Sequence, residues 1–369
     1  MRRILFTLSL VAVALPCALI GAQATHPVIA LRFGQLVDGT GRTLRDAVVV
    51  IDGDRIQSVG TGRAAIPRGA VVRDLRRYTA LPGLIDVHTH MTYYWDGAAG
   101  TNPWQQQGSR NFGVTVFLAQ ANALRTLETG VTTVRDLGSR DFTDVAMRDL
   151  INRGAFPGPR MFVAGHGLGR LRPSATNAAP VSNVARARIA DAADIPAAIK
   201  AQVDGGADWI KMYGSTGSAA DVTGVETFSA EEMRVAVDAA HALGKPIAIH
   251  SYGPEGGRDA TAAGAESVEH AVDLDEATLA GMARRKTVYV PTIDHNRYYA
   301  EYRAQFGYTD VQAAALDAYR ARNFETARRA WKAGVRFAMG SDAVFTMFGQ
   351  NTREQIGRAS CRERVLASV

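Results

Sequence analysis

The sequence predicts an α/β protein made of a (β/α)8 TIM-like barrel and a small N-terminal β domain. After Pro82, eight apolar strand candidates alternate with helical segments over roughly 270 residues, which is the pattern of an eight-stranded parallel barrel. Before Pro82, short strand candidates are separated by turns rich in Gly and Asp, which is typical of a small antiparallel sheet. The chain of 369 residues is long enough for both parts.

The N-terminal β domain is predicted over residues 25–81. Its first strand candidate covers residues 28–31. Residues 47–51 and 55–59 are predicted to form a hairpin around the turn Asp52-Gly53-Asp54. A domain of about fifty residues buries too little apolar surface to be stable by itself, so we expect it to depend on further packing.

The barrel is predicted over residues 82–355. Its strand candidates cover residues 84–90, 130–137, 160–164, 209–213, 247–250, 267–270, 287–293 and 336–340. The helical segments cover residues 115–128, 196–205, 230–243, 258–263, 276–284 and 316–333. Five helices are followed by a glycine placed as a C-cap, namely Gly130, Gly206, Gly244, Gly264 and Gly334. The last helix of the barrel is incomplete, so we expect the C-terminal part to be truncated.

Both ends of the chain depart from the composition of a globular protein. Residues 1–24 are predicted to be a secretory signal peptide, because two arginines precede an apolar run that ends in the cleavage pattern Ala22-Gln23-Ala24. A membrane anchor is the alternative, but the run is short and contains Pro16. Residues 356–369 resemble the translation of a sequencing adapter, and we expect them to be a non-native tail.

These two segments change the interpretation of the charge and of the cysteines. The whole chain has a net charge of +6, which falls to +2 without them. The composition therefore gives no reason to infer a nucleic-acid partner or, after signal cleavage, a membrane partner. The segments also contain both cysteines, Cys17 and Cys361. The rest of the chain offers no thiolate, so a metal site there must use His, Asp, Glu or Lys.

Six side chains suited to metal binding fall at the C-terminal ends of five predicted strands, the end at which barrels carry their reactive groups. His88 and His90 end the first strand, and because strand side chains alternate, both imidazoles point to one face with their Cα atoms about 7 Å apart. The other four are Lys211, His250, His270 and Asp342. Each residue alone is more often structural, but the set of six indicates a shared metal site.

This set of residues resembles the amidohydrolase superfamily, in particular its binuclear-metal group of imidazolonepropionase-related and prolidase-like (Xaa-Pro dipeptidase-like) enzymes. The resemblance covers residues 28–355. It implies that His88 and His90 bind the more buried of two divalent metal ions, and that His250 and His270 bind the second. Imidazole ligands without thiolates suit zinc.

The resemblance also implies the chemistry of the remaining two residues. Lys211 would carry carbon dioxide as a carbamate that bridges the metals, since a half-buried lysine beside cations loses its proton readily. A metal-bridging hydroxide would attack an amide carbonyl, and Asp342, a ligand of the buried metal, would carry the proton to the leaving amine. The implied substrate is a dipeptide or an N-acyl amino acid. Lactone, cyclic-imide or phosphotriester hydrolysis on the same site, or a catalytically inactive binding protein, are the alternatives.

Further residues are candidates for substrate contact. Tyr213 lies two residues beyond Lys211 and therefore on the same strand face, so it is also a candidate catalytic hydrogen-bond donor. The others are Tyr94, His166 and His295, each of which follows a predicted strand. The sequence thus predicts a periplasmic or secreted amide hydrolase that acts on a small molecule or dipeptide, and it leaves open whether the enzyme forms a homo-oligomer.

Overall fold

The structure is a computed structural model that describes residues 27–170, 186–216 and 224–355. The predicted signal peptide and the predicted non-native tail lie outside these residues. The chain divides into two compact units between Pro82 and Gly83. Within the described ranges, no helix combines the length and the apolar composition that a membrane span requires.

The first unit is a four-stranded sheet with the strand order β3-β2-β1-β4. Its strands are β1 (Ile29–Val37), β2 (Thr43–Asp52), β3 (Arg55–Thr61) and β4 (Val71–Ala80). The pairs β1–β2 and β2–β3 are antiparallel, whereas β4 pairs with β1 in parallel. The predicted hairpin is present, with Gly53 at φ +58° in its turn. Ala30, Val48 and Val50 form the small apolar core.

The second unit contains twelve described strands: β5 (Leu84–Thr89), β6 (Val131–Asp136), β7 (Arg160–Val163), β8 (Gly167–Arg170), β9 (Arg186–Ile189), β10 (Ile210–Tyr213), β11 (Ser215–Thr216), β12 (Val225–Glu226), β13 (Ile247–Ser251), β14 (Ser267–His270), β15 (Val288–Val290) and β16 (Arg336–Phe337). The eight predicted barrel strands correspond to β5, β6, β7, β10, β13, β14, β15 and β16. β8 and β9 extend one sheet beside β10, and β11 and β12 form a separate hairpin.

The eight barrel strands close into a ring. β5, β6 and β7 pair in parallel, as do β10, β13, β14, β15 and β16. The Val163 carbonyl at the end of β7 accepts hydrogen bonds from the backbone N–H groups of Asp208 and Trp209, at 2.8 and 3.1 Å. On the other side, Val87 N–H donates to the Met339 carbonyl at 2.7 Å. The first and last strands of the barrel therefore meet.

The described helices are α1 (Pro103–Ser109), α2 (Phe112–Glu128), α3 (Thr143–Asn152), α4 (Ile195–Asp204), α5 (Ala230–Ala242), α6 (Pro254–Ala263), α7 (Glu276–Arg285), α8 (His295–Glu301), α9 (Arg303–Phe306) and α10 (Asp310–Lys332). All six predicted helical segments are present, and the prediction missed α1, α3, α8 and α9. The five glycines predicted to follow helices all have positive φ, as a C-cap residue requires.

Successive side chains along a central strand point alternately to the helices and to the barrel interior, so core residues and site residues occupy opposite faces. Every residue of β10 is buried, because one face lies under helices and the other faces the barrel interior. Ile210 and Met212 belong to the apolar cluster that they share with helices such as α4 and α5. Lys211 and Tyr213 lie on the opposite face of the strand and point into the barrel.

Candidate metal centre

The six predicted metal ligands lie at the C-terminal end of the barrel. They belong to or follow five strands: His88 in β5 and His90 after it, Lys211 in β10, His250 in β13, His270 in β14 and Asp342 after β16. All six side chains are buried, and Lys211 is completely inaccessible. The fold therefore buries six polar or ionisable side chains together at one end of the barrel.

Two of the histidines meet at Asp342. Its Oδ1 lies 3.5 Å from Nε2 of His88 and 3.3 Å from Nε2 of His90. One ligand atom from each of these three residues lies within 4.8 Å of the other two. A zinc ion with bonds of about 2.0–2.2 Å holds its nitrogen and oxygen ligands roughly 3–3.5 Å apart, so the three atoms fit one ion after small adjustments.

The other three predicted ligands adjoin this group. The ring centroid of His270 lies 4.9 Å from that of His88 and 4.4 Å from that of His250. Nζ of Lys211 lies 3.3 Å from Nε2 of His88. Nε2 of His270 is buried and has no hydrogen-bond partner among the described residues. A buried polar atom in this state is unfavourable, which fits an atom that binds a metal ion.

Three of the histidines use Nδ1 to contact the protein. Their partners are the carboxylate of Glu269 for His88 at 2.8 Å, the carbonyl of Gly138 for His90 at 3.0 Å and the hydroxyl of Thr292 for His270 at 2.6 Å. A neutral imidazole that donates from Nδ1 keeps its lone pair on Nε2. The three rings therefore present the donor atom that a metal needs, which is the usual arrangement around protein-bound metals.

The partner of His88 belongs to a buried ion pair. Arg135 donates to Oε1 of Glu269 at 2.8 Å, and the Ser267 hydroxyl donates to the same oxygen at 2.5 Å. Arg135 also donates from Nε to the Val87 carbonyl at 2.6 Å. The Glu269 carboxylate is thus satisfied on both oxygens and orients the His88 ring.

The protonation states suit metal binding. Burial lowers the pKa of His88 and of His270 well below the ordinary histidine value, and neighbouring Lys211 and His250 add to the respective effects. Burial alone would raise the pKa of Asp342, but the nearby histidines, with His295 first, outweigh it and hold that pKa below its ordinary value. At neutral pH the imidazoles of His88 and His270 are uncharged and the Asp342 carboxylate is ionised, which are the forms that bind metals.

Three non-glycine residues with positive φ lie at the same place. His270 has φ +75° and Asp342 has φ +50°, and Thr292, which contacts His270, has φ +49°. Residues other than glycine adopt such angles at a cost of about 1–3 kcal/mol each, and they cluster at functional sites. These values agree with a site whose geometry is imposed by the surrounding structure.

Tyr213 faces the centre as its position two residues beyond Lys211 predicts. Its ring centroid lies 5.2 Å from Nζ of Lys211 and 5.5 Å from the ring centroid of His250. Two glycines make room for it, since a Cβ at Gly167 would lie 2.3 Å from the Tyr213 ring and one at Gly138 would lie 2.8 Å from its hydroxyl.

Two predicted substrate contacts, Tyr94 and His166, pair with residues other than the predicted metal ligands. The guanidinium carbon of Arg110 lies 5.1 Å from the ring centroid of Tyr94. Nε2 of His166 accepts a hydrogen bond from the Asp141 backbone at 2.7 Å, and its ring lies 4.7 Å from that of Phe142. In the described part of the chain, neither side chain makes a hydrogen bond or ring contact with any of the six predicted ligands.

The third predicted substrate contact, His295, lies within the centre, together with two residues that were not among the predicted site residues, Tyr93 and Glu269. Nε2 of His295 is 3.1 Å from Oδ2 of Asp342. Tyr93 stacks on His90 with the ring centroids 4.8 Å apart, although Tyr94 was the tyrosine predicted to contact substrate. Glu269 was also missed, even though it directly precedes His270. Its adjacency to a predicted ligand was the available signal.

A cavity of about 830 Å³ opens at the other end of the barrel. It is lined by residues at the starts of strands, including Ile85, Trp209 and Val288. None of the six predicted ligands lines it. This cavity is therefore separate from the predicted metal ligands.

Known proteins are similar to this chain in sequence and in architecture. A model of the amidohydrolase family matches residues 79–366. Ochratoxinase from Aspergillus niger is 30% identical over 346 residues, covering 84% of this chain and 68% of that protein. The crystal structure of a Xaa-Pro dipeptidase with bound methionine has 27% sequence identity and a TM-score of 0.77, covering 90% of this chain and 84% of the other. A prolidase complexed with N-methylphosphonate-L-proline has 25% identity and a TM-score of 0.79, with 90% and 83% covered.

Proposed function

Because the chain belongs to the amidohydrolase family and is a hydrolase of carbon–nitrogen bonds, we propose that it cleaves the amide bond of a dipeptide or an N-acyl amino acid with two divalent metal ions, zinc in the first instance. The observation that carries this proposal is the convergence of His88, His90 and Asp342, whose ligand atoms lie within 4.8 Å of one another. The orphaned Nε2 of His270 extends this donor set toward a second ion.

We assign each proposed ion to a part of the donor set. His88, His90 and Asp342 would hold the first ion, and His250 and His270 the second. Two such ions supply Lewis acidity, which activates water and polarises the carbonyl of the substrate. Lys211 lies 3.3 Å from Nε2 of His88 and is completely buried. An ammonium group is unfavourable there, so we propose that Lys211 takes up carbon dioxide with loss of a proton, and the carbamate would supply anionic oxygen ligands to the metal site.

Asp342 is the residue that moves the proton. Its ionised carboxylate has a depressed pKa, so it is unprotonated when the substrate arrives. It accepts a proton from the attacking water and gives this proton to the nitrogen of the leaving amine as the carbon–nitrogen bond breaks. The products are an amine and a carboxylic acid, which ionises to a carboxylate by releasing its proton to solvent, and Asp342 returns to its ionised form.

Tyr213 is the proposed substrate-binding donor. It is buried at 7% exposure, and its hydroxyl lies across from Gly138, whose carbonyl accepts from His90. A phenol in this position donates a hydrogen bond to the carbonyl or carboxylate of the substrate. The choice of dipeptides and N-acyl amino acids rests on the relatives, two of which are a Xaa-Pro dipeptidase and a prolidase.

A substrate screen tests this function. The protein, supplied with zinc and bicarbonate, is incubated with dipeptides, N-acyl amino acids, lactones, cyclic imides and phosphotriesters, with Asp342→Asn as the inactive control. We expect amide hydrolysis that chelation abolishes and zinc restores. Turnover of lactones or phosphotriesters without turnover of any amide contradicts the proposed substrate class, and metal binding without any turnover favours a binding protein.

A further inference from the structure

His295 makes a specific contact with the proposed proton carrier. It is the first residue of α8, and its side chain is only 3% exposed. Its Nε2 lies 3.1 Å from Oδ2 of Asp342, whereas Oδ1 of the same carboxylate is 3.5 and 3.3 Å from His88 and His90. The two oxygens of Asp342 thus face different partners.

The surroundings of His295 define which of its nitrogens carries the proton. Nδ1 is buried and finds no hydrogen-bond partner in the described part of the protein. Nε2 has the Asp342 carboxylate, which can only accept. In the neutral imidazole the hydrogen therefore belongs on Nε2, which lies 3.1 Å from Oδ2.

We infer that His295 is a positioning residue for Asp342, an assignment that rests on the proposed function. Its Nε2–H holds Oδ2 and prevents the carboxylate from rotating, so that Oδ1 stays directed at the metal site shared with His88 and His90. A carboxylate free to rotate would engage metal with both oxygens and lose the one that receives the proton. Oδ2 retains a second lone pair for that proton.

The backbone that precedes His295 is fixed by Glu354, an acidic residue about sixty positions later in the chain. Glu354 is fully buried, and its carboxylate accepts hydrogen bonds from the backbone N–H groups of Ile293 at 3.1 Å and Asp294 at 2.9 Å. The backbone N–H of His295 donates to the Thr292 carbonyl at 3.2 Å. The backbone of the turn that precedes His295 is therefore held by hydrogen bonds to Glu354 and Thr292. These contacts restrict the imidazole to its position beside Asp342.

Four variants test this role, with two independent readouts. His295→Gln keeps an amide N–H close to the position of Nε2, whereas His295→Asn is too short and His295→Leu has no donor. His241→Gln is the control, because His241 is exposed on α5 and contacts Glu266. The readouts are kcat and KM on the amide substrate found by the screen, and zinc affinity measured by competition with a chromophoric chelator.

Loss of the donor is expected to lower kcat and zinc affinity by about 10–100-fold, the usual effect of removing a residue that orients a metal ligand, with little change in KM. His295→Gln should recover most of the loss, and His295→Asn should resemble His295→Leu. Wild-type values for His295→Leu, or equal damage from the Gln and Leu variants, would overturn the inference. Failure of the wild-type protein to bind zinc would contradict the metal centre itself, which distinguishes the two claims.

Discussion

Glu269 illustrates how single residues prepare the centre. Its carboxylate receives the Nδ1–H of His88 on one oxygen and a hydrogen bond from Arg135 on the other. This leaves Nε2 of His88 unprotonated and pointing toward Asp342 and Lys211. The acid thus sets the tautomer of a ligand without contacting the metal site directly, and Arg135 compensates its buried charge.

The substitution Glu269→Gln should weaken metal binding. The amide has only one oxygen to accept from His88 and Arg135, and it removes the carboxylate that pairs with the buried guanidinium of Arg135. We expect zinc affinity to fall by about 10–100-fold, measured by chelator competition. Glu266→Gln is the matched control, since that acid pairs with exposed His241. Equal affinity for zinc in both variants would refute the role of Glu269.

At this scale, the predicted ligands were easier to select from the sequence than the residues that orient them. The ligands lie at strand ends, and alternation at spacing two indicates which side chains share a face, as for His88 with His90 and Lys211 with Tyr213. The contact of His88 with Glu269 joins residues 181 positions apart. Every residue of β14 is buried, so alternation could not distinguish Glu269 from its neighbours.

At the scale of elements, the strands and the apolar helices were predictable, while their ends depended on polar contacts. The seventh barrel strand was predicted over residues 287–293 but ends at Val290, because Thr292 turns at φ +49° and Glu354 binds the backbone that follows. The last predicted helix began at residue 316, where its apolar pattern starts. The structure begins α10 at Asp310, because Thr309 and Gln312 form a capping box.

The hairpin of β11 and β12 contributes a pH-sensitive acid. Burial raises the pKa of Glu226 to about 7, although hydrogen bonds from the Gly256 backbone and from Ser251 oppose this shift. Between the ordinary glutamate pKa and this value, the folded protein binds more protons than the unfolded chain. The contribution of this group to stability is therefore present at low pH and is lost as pH rises through about 7.

Glu226→Gln should remove this dependence, because an amide has no proton to lose. We expect the Tm of the variant relative to the wild type to be higher at pH 8 than at pH 5, measured by differential scanning fluorimetry. Glu128→Gln, at an exposed position on α2, is the control for the loss of a charge. A Tm difference for Glu226→Gln that is the same at both pH values would show that Glu226 has an ordinary pKa.

At the scale of the whole barrel, closure depends on a buried network between its first and last strands. Asp86 in β5 accepts hydrogen bonds from the Ser341 backbone at 2.9 Å, the Ser341 hydroxyl at 2.5 Å and the Asn351 amide at 3.0 Å. The donors are 255 and 265 positions away along the chain. The sequence predicted eight strands, but it contained no signal for this network of hydrogen bonds around Asp86. The network fixes Asp342 beside His88.

Asp86→Ala should destabilise the barrel, because it leaves several buried donors unsatisfied. We expect the free energy of unfolding to fall by about 2–4 kcal/mol, measured from urea denaturation. The matched control is Asp204→Ala, which removes an exposed acid that pairs with Lys200. If both variants unfold at the same urea concentration, the Asp86 network does not hold the barrel closed.

The central claim is that six residues from five strands form one binuclear metal centre. It is tested most directly by the zinc content of the untagged protein after dialysis against zinc and bicarbonate, measured by inductively coupled plasma mass spectrometry. We predict two zinc ions per chain, and fewer in His250→Ala combined with His270→Ala, which removes two ligands of the second ion. One zinc ion or fewer per wild-type chain, or no loss in the double variant, would contradict the claim.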